Sequence, residues 1–197
     1  MGSNPRPNVL LINCDDLGYG DLGCYGSHRN KTPAIDRLAA EGLKLNDFYA
    51  ASPVCSPSRG ALMTGRYPPR FGFGNFEGMP VLFPGQAVGL PPTEISIGRV
   101  LKTVGYSTML IGKWHCGDQP DFLPLNHGFD SYFGIPYSND MGRQSKTPRN
   151  FPPYPPLPLV HNDQVLEQQP DQSALTERYV FEAVKFMREI SKCPRCS

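Results

Sequence analysis

Two short apolar runs restrict this chain more than anything else in it. Residues 8–13 read Asn-Val-Leu-Leu-Ile-Asn and end in Cys14-Asp15-Asp16. Residues 106–111 end in Gly112-Lys113-Trp114-His115. Runs of this length with β-branched residues predict buried strands of a parallel sheet. In open α/β sheets ligands bind at the carboxyl ends of strands, so the polar groups there become the first site candidates. Two helices are predicted nearby. One opens at Thr32-Pro33, buries Ile35, Leu38 and Ala39 on one face and closes at Gly42. The other spans 93–104, with Thr93 as cap, Glu94 in the first turn, an apolar stripe of Ile97, Val100, Leu101 and Val104, and Gly105 after it. Residues 43–50 are strand-like and lead to Cys55.

Around Cys55 the sequence reads Cys55-Ser56-Pro57-Ser58-Arg59, then Gly60 to Thr64 and Gly65-Arg66. Pro57 suits a first helical turn and Gly65 a C-cap. Cys55 therefore stands at a helix N-terminus, where backbone N–H groups and the dipole favour an anion. Arg59 adds a fixed positive charge one turn in. Read from these residues alone, a buried inert cysteine is the commoner outcome, since free cysteines are mostly buried. The Asp15/Asp16 pair is either a site for a hard cation with oxygen ligands or a cap on the turn containing Gly18 and Gly20. Lys113 and His115, two residues apart in an extended segment, face one side and suit a bound anion.

Composition narrows the function classes. The 197 residues suffice for one domain with a core. A formal net charge of +1 gives no electrostatic case for nucleic acid or an anionic membrane. No apolar run is long enough to span a bilayer, and the N-terminus shows no apolar signal-peptide segment. The six cysteines form no recognisable disulfide framework. Cys193 and Cys196 form a lone C-x-x-C, short of the four ligands of structural zinc, in a predicted tail over 191–197. Asn30-Lys31-Thr32 is a glycosylation sequon, a triplet that also arises by chance. The 22 prolines and 20 glycines imply many loops. Residues 68–92 read as a loop lining a pocket or covering the sheet, and 148–170 as an extended proline-rich rim. A core-packing helix is predicted over 173–190, with Tyr179, Ala183, Phe186, Met187 and Ile190 on one stripe.

Taken together, these motifs resemble the sulfatase family. The opening strand with Asp15 and Asp16, the C-x-P-S-R signature with its Thr64-Gly65-Arg66 tail, the Gly112-Lys113-Trp114-His115 motif, His127-Gly128-Phe129-Asp130 and the segment 133–140 occur in the family's order. The likeness is to arylsulfatases and N-acetylgalactosamine-6-sulfatase-like members, and it covers 7–190 as the N-terminal portion of a catalytic domain. It implies an alkaline-phosphatase-like α/β fold, a mixed sheet flanked by helices and truncated on the C-terminal side. It implies hydrolysis of sulfate esters, of an aryl sulfate or a sulfated sugar, with Ca2+ and a formylglycine (3-oxoalanine) made from Cys55 by a formylglycine-generating enzyme. By the same resemblance Asp15, Asp16 and residue 55 bind the cation, Arg59 and His115 hold the formylglycine, and Lys113 and Ser138 contact the sulfate.

The family's later metal ligands, second histidine and second lysine have no counterpart here. The resemblance therefore predicts a chain that is weakly active or inactive alone. Two other readings stand beside it: a phosphate or phosphonate ester hydrolase of the same superfamily, and a non-catalytic isoform binding a sulfated ligand or a partner. Family members are lysosomal, secreted or periplasmic, and the sequence itself leaves compartment open.

Overall fold

The computed structural model describes residues 6–143 and 154–192. Contacts divide them into two compact units, one running to Ala50 and the other starting at Ala51. None of the described helices is long and apolar enough to cross a membrane.

The first unit is built on two 3-10 turns, Tyr19–Asp21 and Gly23–Tyr25, and helix α1, Pro33–Glu41. Pro33 occupies the first turn as predicted. Thr32 precedes it, but its hydroxyl is used differently from an ordinary cap. It donates to Asp36 Oδ1 at 2.9 Å and accepts from the Gly23 amide at 2.9 Å. Asp36 Oδ1 also accepts from the Cys24 amide at 2.7 Å, so α1 is locked onto the preceding turn. The predicted strands over 8–13 and 43–50 are both corrected: neither forms a ladder among the described residues. A strand exists only through its neighbours' hydrogen bonds, and an apolar run with none stays irregular. In 43–50 two carbonyls are instead taken by tyrosine hydroxyls. Tyr25 donates to Leu45 O at 2.7 Å and Tyr19 to Phe48 O at 2.9 Å.

The second unit contains α2, Cys55–Thr64, α3, Ile97–Thr103, and α4, Leu175–Ile190. Its strands are β1, Met109–Ile111, β2, Ser131–Gly134, β3, Pro158–His161, and β4, Gln164–Gln168. They form one mixed sheet in the order β1-β2-β3-β4. β1 and β2 run parallel, with Met109 opposite Ser131 and Ile111 opposite Phe133. The other two pairings are antiparallel. The β3–β4 hairpin corrects the proline-rich rim predicted there. Its signals were Asn162-Asp163 between two apolar runs, and a proline at the first residue of a strand, where a missing donor does least harm. Of that predicted rim, 148–153 lie outside the described residues, as does the C-x-x-C, and 154–157 are irregular as expected.

Alternate residues of β2 face two cores. Tyr132 packs with Phe73, Phe76, Leu82, Leu90, Trp114, Cys116 and Val160. Phe133 packs with Ile135, Tyr137, Met141, Leu157, Leu159 and Leu175. The loop 68–92 thus covers one sheet face and supplies that core's phenylalanines. Helix α3 begins three residues later than predicted, because Ser96 rather than Thr93 caps it. The buried Ser96 hydroxyl accepts from the Arg99 amide at 3.1 Å and donates to the His127 carbonyl, tying the helix start to the loop before β2.

One ion pair clamps the C-terminus of α2 to this region. Arg66 Nη1 donates to both carboxylate oxygens of Glu94 at 2.6 Å. Only 11% of the Glu94 side chain is exposed, against 47% for Arg66. Arg66→Ala strands that carboxylate and is expected to lower stability by about 1–2 kcal/mol, discounted from a fully buried pair for the solvent around Arg66. Removing both partners costs less than the sum of the single changes, which a urea-unfolding double-mutant cycle reads directly.

Candidate active site

Cys55 is the first residue of α2. Val54 before it is extended, and the Ser58 amide closes the first turn on the Val54 carbonyl at 3.1 Å. Ser58 Oγ donates to the Cys55 carbonyl at 2.9 Å. Pro57 sits in this turn without harm, because its missing N–H would have had no helical acceptor. Gly65 ends the helix in the left-handed region, φ 66°, as its place after Thr64 predicts. Cys55 is half-buried, whereas Cys116 is fully buried and burial pushes its thiol up to about 12. Of the two, Cys55 is the one open to chemistry.

The segment 112–115 continues the parallel pairing beyond β1. The amides of Gly112, Trp114 and His115 donate to the carbonyls of Phe133, Ile135 and Pro136 at 2.8, 3.0 and 3.0 Å. Trp114 is buried, with its indole N–H on the Phe122 carbonyl at 2.9 Å. Lys113 Nζ donates to Ser138 Oγ at 3.2 Å. Arg59 Nη1 donates to the Lys113 carbonyl at 2.6 Å. Arg59, Lys113 and Ser138 are therefore brought together in one chain of contacts.

His115 has a left-handed backbone, φ 56°, a strained conformation for a side-chain-bearing residue. The strict alternation that would aim Lys113 and His115 alike therefore does not hold, and their partners differ. His115 Nε2 lies 2.8 Å from the Leu82 carbonyl. A carbonyl only accepts, so this nitrogen carries the proton and Nδ1 is the bare acceptor. Nδ1 is buried with no hydrogen-bond partner. Burial lowers the His115 pKa to about 4, with the positive charges of Lys113 and Arg59 adding to the effect. The imidazole is thus neutral at pH 7. The Leu82 amide in turn donates to Ser56 Oγ at 3.0 Å. Ser56 and the Leu82 backbone were missed in the sequence reading. A mid-loop peptide group that serves two sites carries no sequence signal.

Asp15 and Asp16 belong to the first unit, in the exposed turn after residues 8–13. Asp16 has φ 58°, a conformation that aspartate tolerates better than most residues. Ca2+ takes about six to eight oxygen ligands. Two carboxylates fall short of that, and among the described residues no group of three or more His, Cys, Asp or Glu is gathered for a metal. These residues do not complete a calcium site.

The sulfatase family model matches residues 7–192. The steryl-sulfatase of Mus musculus is 53% identical over 146 residues, covering 70% of this chain and 23% of that protein. Human arylsulfatase A is 43% identical over 203 residues, covering 96% of this chain and 39% of that protein. The crystal structure of Ps i-CgsB in complex with k-i-k-neocarrahexaose superposes with a TM-score of 0.75 at 34% identity, covering 91% of this chain and 41% of that one. The chain thus spans less than two fifths of these curated relatives. Its mixed sheet and helices have the alkaline-phosphatase-like architecture of that neighbour. The family match over almost the whole chain, on a fold that joins the helix of Cys55 to the Lys113–His115 strand end, shows that the chain belongs to the sulfatase family.

Proposed function

We propose that this chain carries the nucleophile half of a sulfuric ester hydrolase, with Cys55 as the precursor of the nucleophile. One observation carries the reading: two separate links run from the first turns of α2 to the segment 113–115. Arg59 binds the Lys113 carbonyl, and Ser56 reaches His115 through the Leu82 peptide. Cys55, immediately before these anchors, is half-buried rather than sealed in the core.

A formylglycine at position 55, made by a formylglycine-generating enzyme and hydrated, would supply one hydroxyl to attack sulfur and a second to release sulfate. The chain's own residues do the rest. Lys113 Nζ and the Ser138 hydroxyl, already in contact, form a donor pair that binds sulfate oxygens and offsets their charge. Arg59 fixes the helix of residue 55 against the Lys113 backbone, so nucleophile and anion site move as one body. His115 Nδ1, bare and neutral, can accept a hydrogen bond from a hydroxyl brought beside it. Asp15 and Asp16 are the residues that would join a Ca2+ site, which needs further oxygen donors. The names of the relatives, steryl-, aryl- and N-acetylgalactosamine-6-sulfatase, support a sulfate ester of an alcohol, phenol or sugar as substrate class. The incomplete cation donor set favours a second reading, in which the chain binds a sulfated ligand without turning it over.

Co-expression with the formylglycine-generating enzyme, followed by mass spectrometry of the peptide 45–59, tests the proposal. The expected result is the mass loss of thiol-to-aldehyde conversion, absent in Cys55→Ala. An unmodified thiol in that host overturns it. With Ca2+ and a chromogenic aryl sulfate, turnover by the modified chain is expected to be absent or about a thousandfold below a complete sulfatase, the size of losing several transition-state contacts. Rapid turnover would overturn the claim that the donor set is incomplete.

A further inference from the structure

Ser56 follows residue 55 directly in α2 and is fully buried. A serine at a helix start commonly accepts an amide of its own helix. Ser56 Oγ instead accepts the Leu82 amide at 3.0 Å, 26 residues further along the chain. Leu82 lies in the stretch 80–86, which joins no strand ladder. Side chains hold that stretch in place. Besides Ser56, Gln86 Oε1 accepts the Phe83 amide at 2.7 Å and Asp118 Oδ2 the Gly85 amide at 2.7 Å. Of these three anchors, Ser56 holds the residue that meets the histidine, because the Leu82 carbonyl accepts from His115 Nε2 at 2.8 Å.

The His115 side chain is thereby pinned at both ends. Its backbone amide donates to the Pro136 carbonyl at 3.0 Å, and its far ring nitrogen donates to Leu82. A planar ring fixed at Cβ and at Nε2 leaves its Nδ1 one direction in which to point. Locking a functional side chain through a hydrogen bond at its far end is how a supporting shell sets site geometry. Without Ser56 Oγ the buried Leu82 amide loses its acceptor, and the carbonyl of the same residue is free to drift from Nε2. Nδ1 already lacks a partner, so the ring would then have no side-chain hydrogen bond to orient it. We propose that Ser56 is a positioning residue, which sets the orientation of the His115 imidazole through Leu82. The helix that carries residue 55 then aligns both the nucleophile and the acceptor that faces it. For its place in catalysis this role depends on the sulfuric ester hydrolysis proposed for the chain, whereas the contacts stand by themselves.

Hydrogen exchange followed by nuclear magnetic resonance on the full 15N-labelled chain tests this without turnover. The ring signal of His115 is assigned by its loss in His115→Gln. In the parent chain the His115 Nε2–H and the Leu82 amide should both be protected from exchange. Ser56→Ala should speed exchange at both groups at least about tenfold and move the His115 ring 15N shifts, while amides within β2 and β3 keep their rates. A merely structural serine would speed all of these together. Ser56→Thr, which keeps the oxygen, should return both groups to the parent rates. Should Ser56→Ala fail to fold, Ser56→Cys, with a weaker acceptor of similar size, must speed the same two groups selectively. A His115 ring unchanged by loss of the Ser56 oxygen overturns the proposal, and so does acceleration spread evenly over the strands. An unprotected Nε2–H in the parent chain overturns it as well. Failure of the function is read separately: an unmodified Cys55 in the mass-spectrometric experiment overturns the hydrolase reading and leaves these rates as they are.

Discussion

Gly134→Ala is expected to unfold the second unit or lower its stability by about 3 kcal/mol or more, the upper range for forcing atoms into a packed interior. Gly134 ends β2 beside the point where the chain leaves β1. A methyl group there would land on the Gly112 carbonyl oxygen, far inside van der Waals contact, and the Gly112 carbonyl carbon and amide nitrogen lie close behind. These are backbone atoms held by the Gly112 N–H bond to the Phe133 carbonyl at 2.8 Å, so they cannot yield as a flexible side-chain end would. The same displacement would move Lys113 and His115, which follow directly. Gly112 is the control. It has φ 98°, yet a methyl there meets nothing nearer than Tyr179 Cε2 at 3.8 Å. Gly112→Ala therefore carries only backbone strain, about 1–2 kcal/mol. The chain has a single tryptophan, Trp114, and it is buried in the core beside the site. Its fluorescence in urea reports both variants. If Gly134→Ala costs no more than Gly112→Ala, steric closure is not what position 134 requires.

This glycine pair shows what the sequence could and could not say. Gly112 was legible as the end of a strand, and Gly134 as part of a motif. That Gly134 is needed because the Gly112 backbone lies against it is a fact of pairing. The helices were legible because their signals are local. Pro33 starts α1, Gly65 ends α2, and a 3.6-residue apolar period runs through α4. The α3 boundary slipped because Ser96 found a long-range acceptor, the His127 carbonyl, that Thr93 lacks. The strand over 106–111 shortened to Met109–Ile111, and those over 8–13 and 43–50 did not form, because a strand is made by partners that composition does not name.

The site divides the same way. The side chains Cys55, Arg59, Lys113, His115 and Ser138 were found as motif positions. What joins them is mostly backbone: the Lys113 carbonyl, and the Leu82 amide and carbonyl. Leu82 sits in a loop without periodicity, so nothing in the sequence marks it. The positive φ of His115 was equally hidden, and it alters the geometry that simple alternation predicts.

Acid should destabilise this chain steeply, and His127→Phe should remove a defined share of that loss. His115 and His127 are both fully buried, and burial lowers each pKa to about 4. The unfolded chain binds a proton at each histidine near its ordinary pKa of about 6.5. Between these values the unfolded state holds more protons than the folded one, so stability rises with pH. The contribution is fully present above pH ~6.5, is lost as pH falls towards ~4, and levels off below, where both states are protonated. Each histidine accounts for at most about 3 kcal/mol across that window. His127 is the cleaner of the two to test. Neither of its ring nitrogens has a hydrogen-bond partner, and its ring lies 5.6 Å from that of Trp114. The bond that Ser96 makes is to the His127 backbone carbonyl and survives substitution. A phenyl ring in that place removes two unsatisfied polar atoms and should hold or raise stability at pH 7 by about 1 kcal/mol. It should also reduce the pH slope between 4 and 6.5 by one proton per chain. Urea unfolding followed by Trp114 fluorescence across that range measures both quantities. His115 behaves differently, because its replacement also breaks the Leu82 bond. A His127→Phe chain as acid-sensitive as the parent would show that the imidazole at 127 is already charged in the folded state.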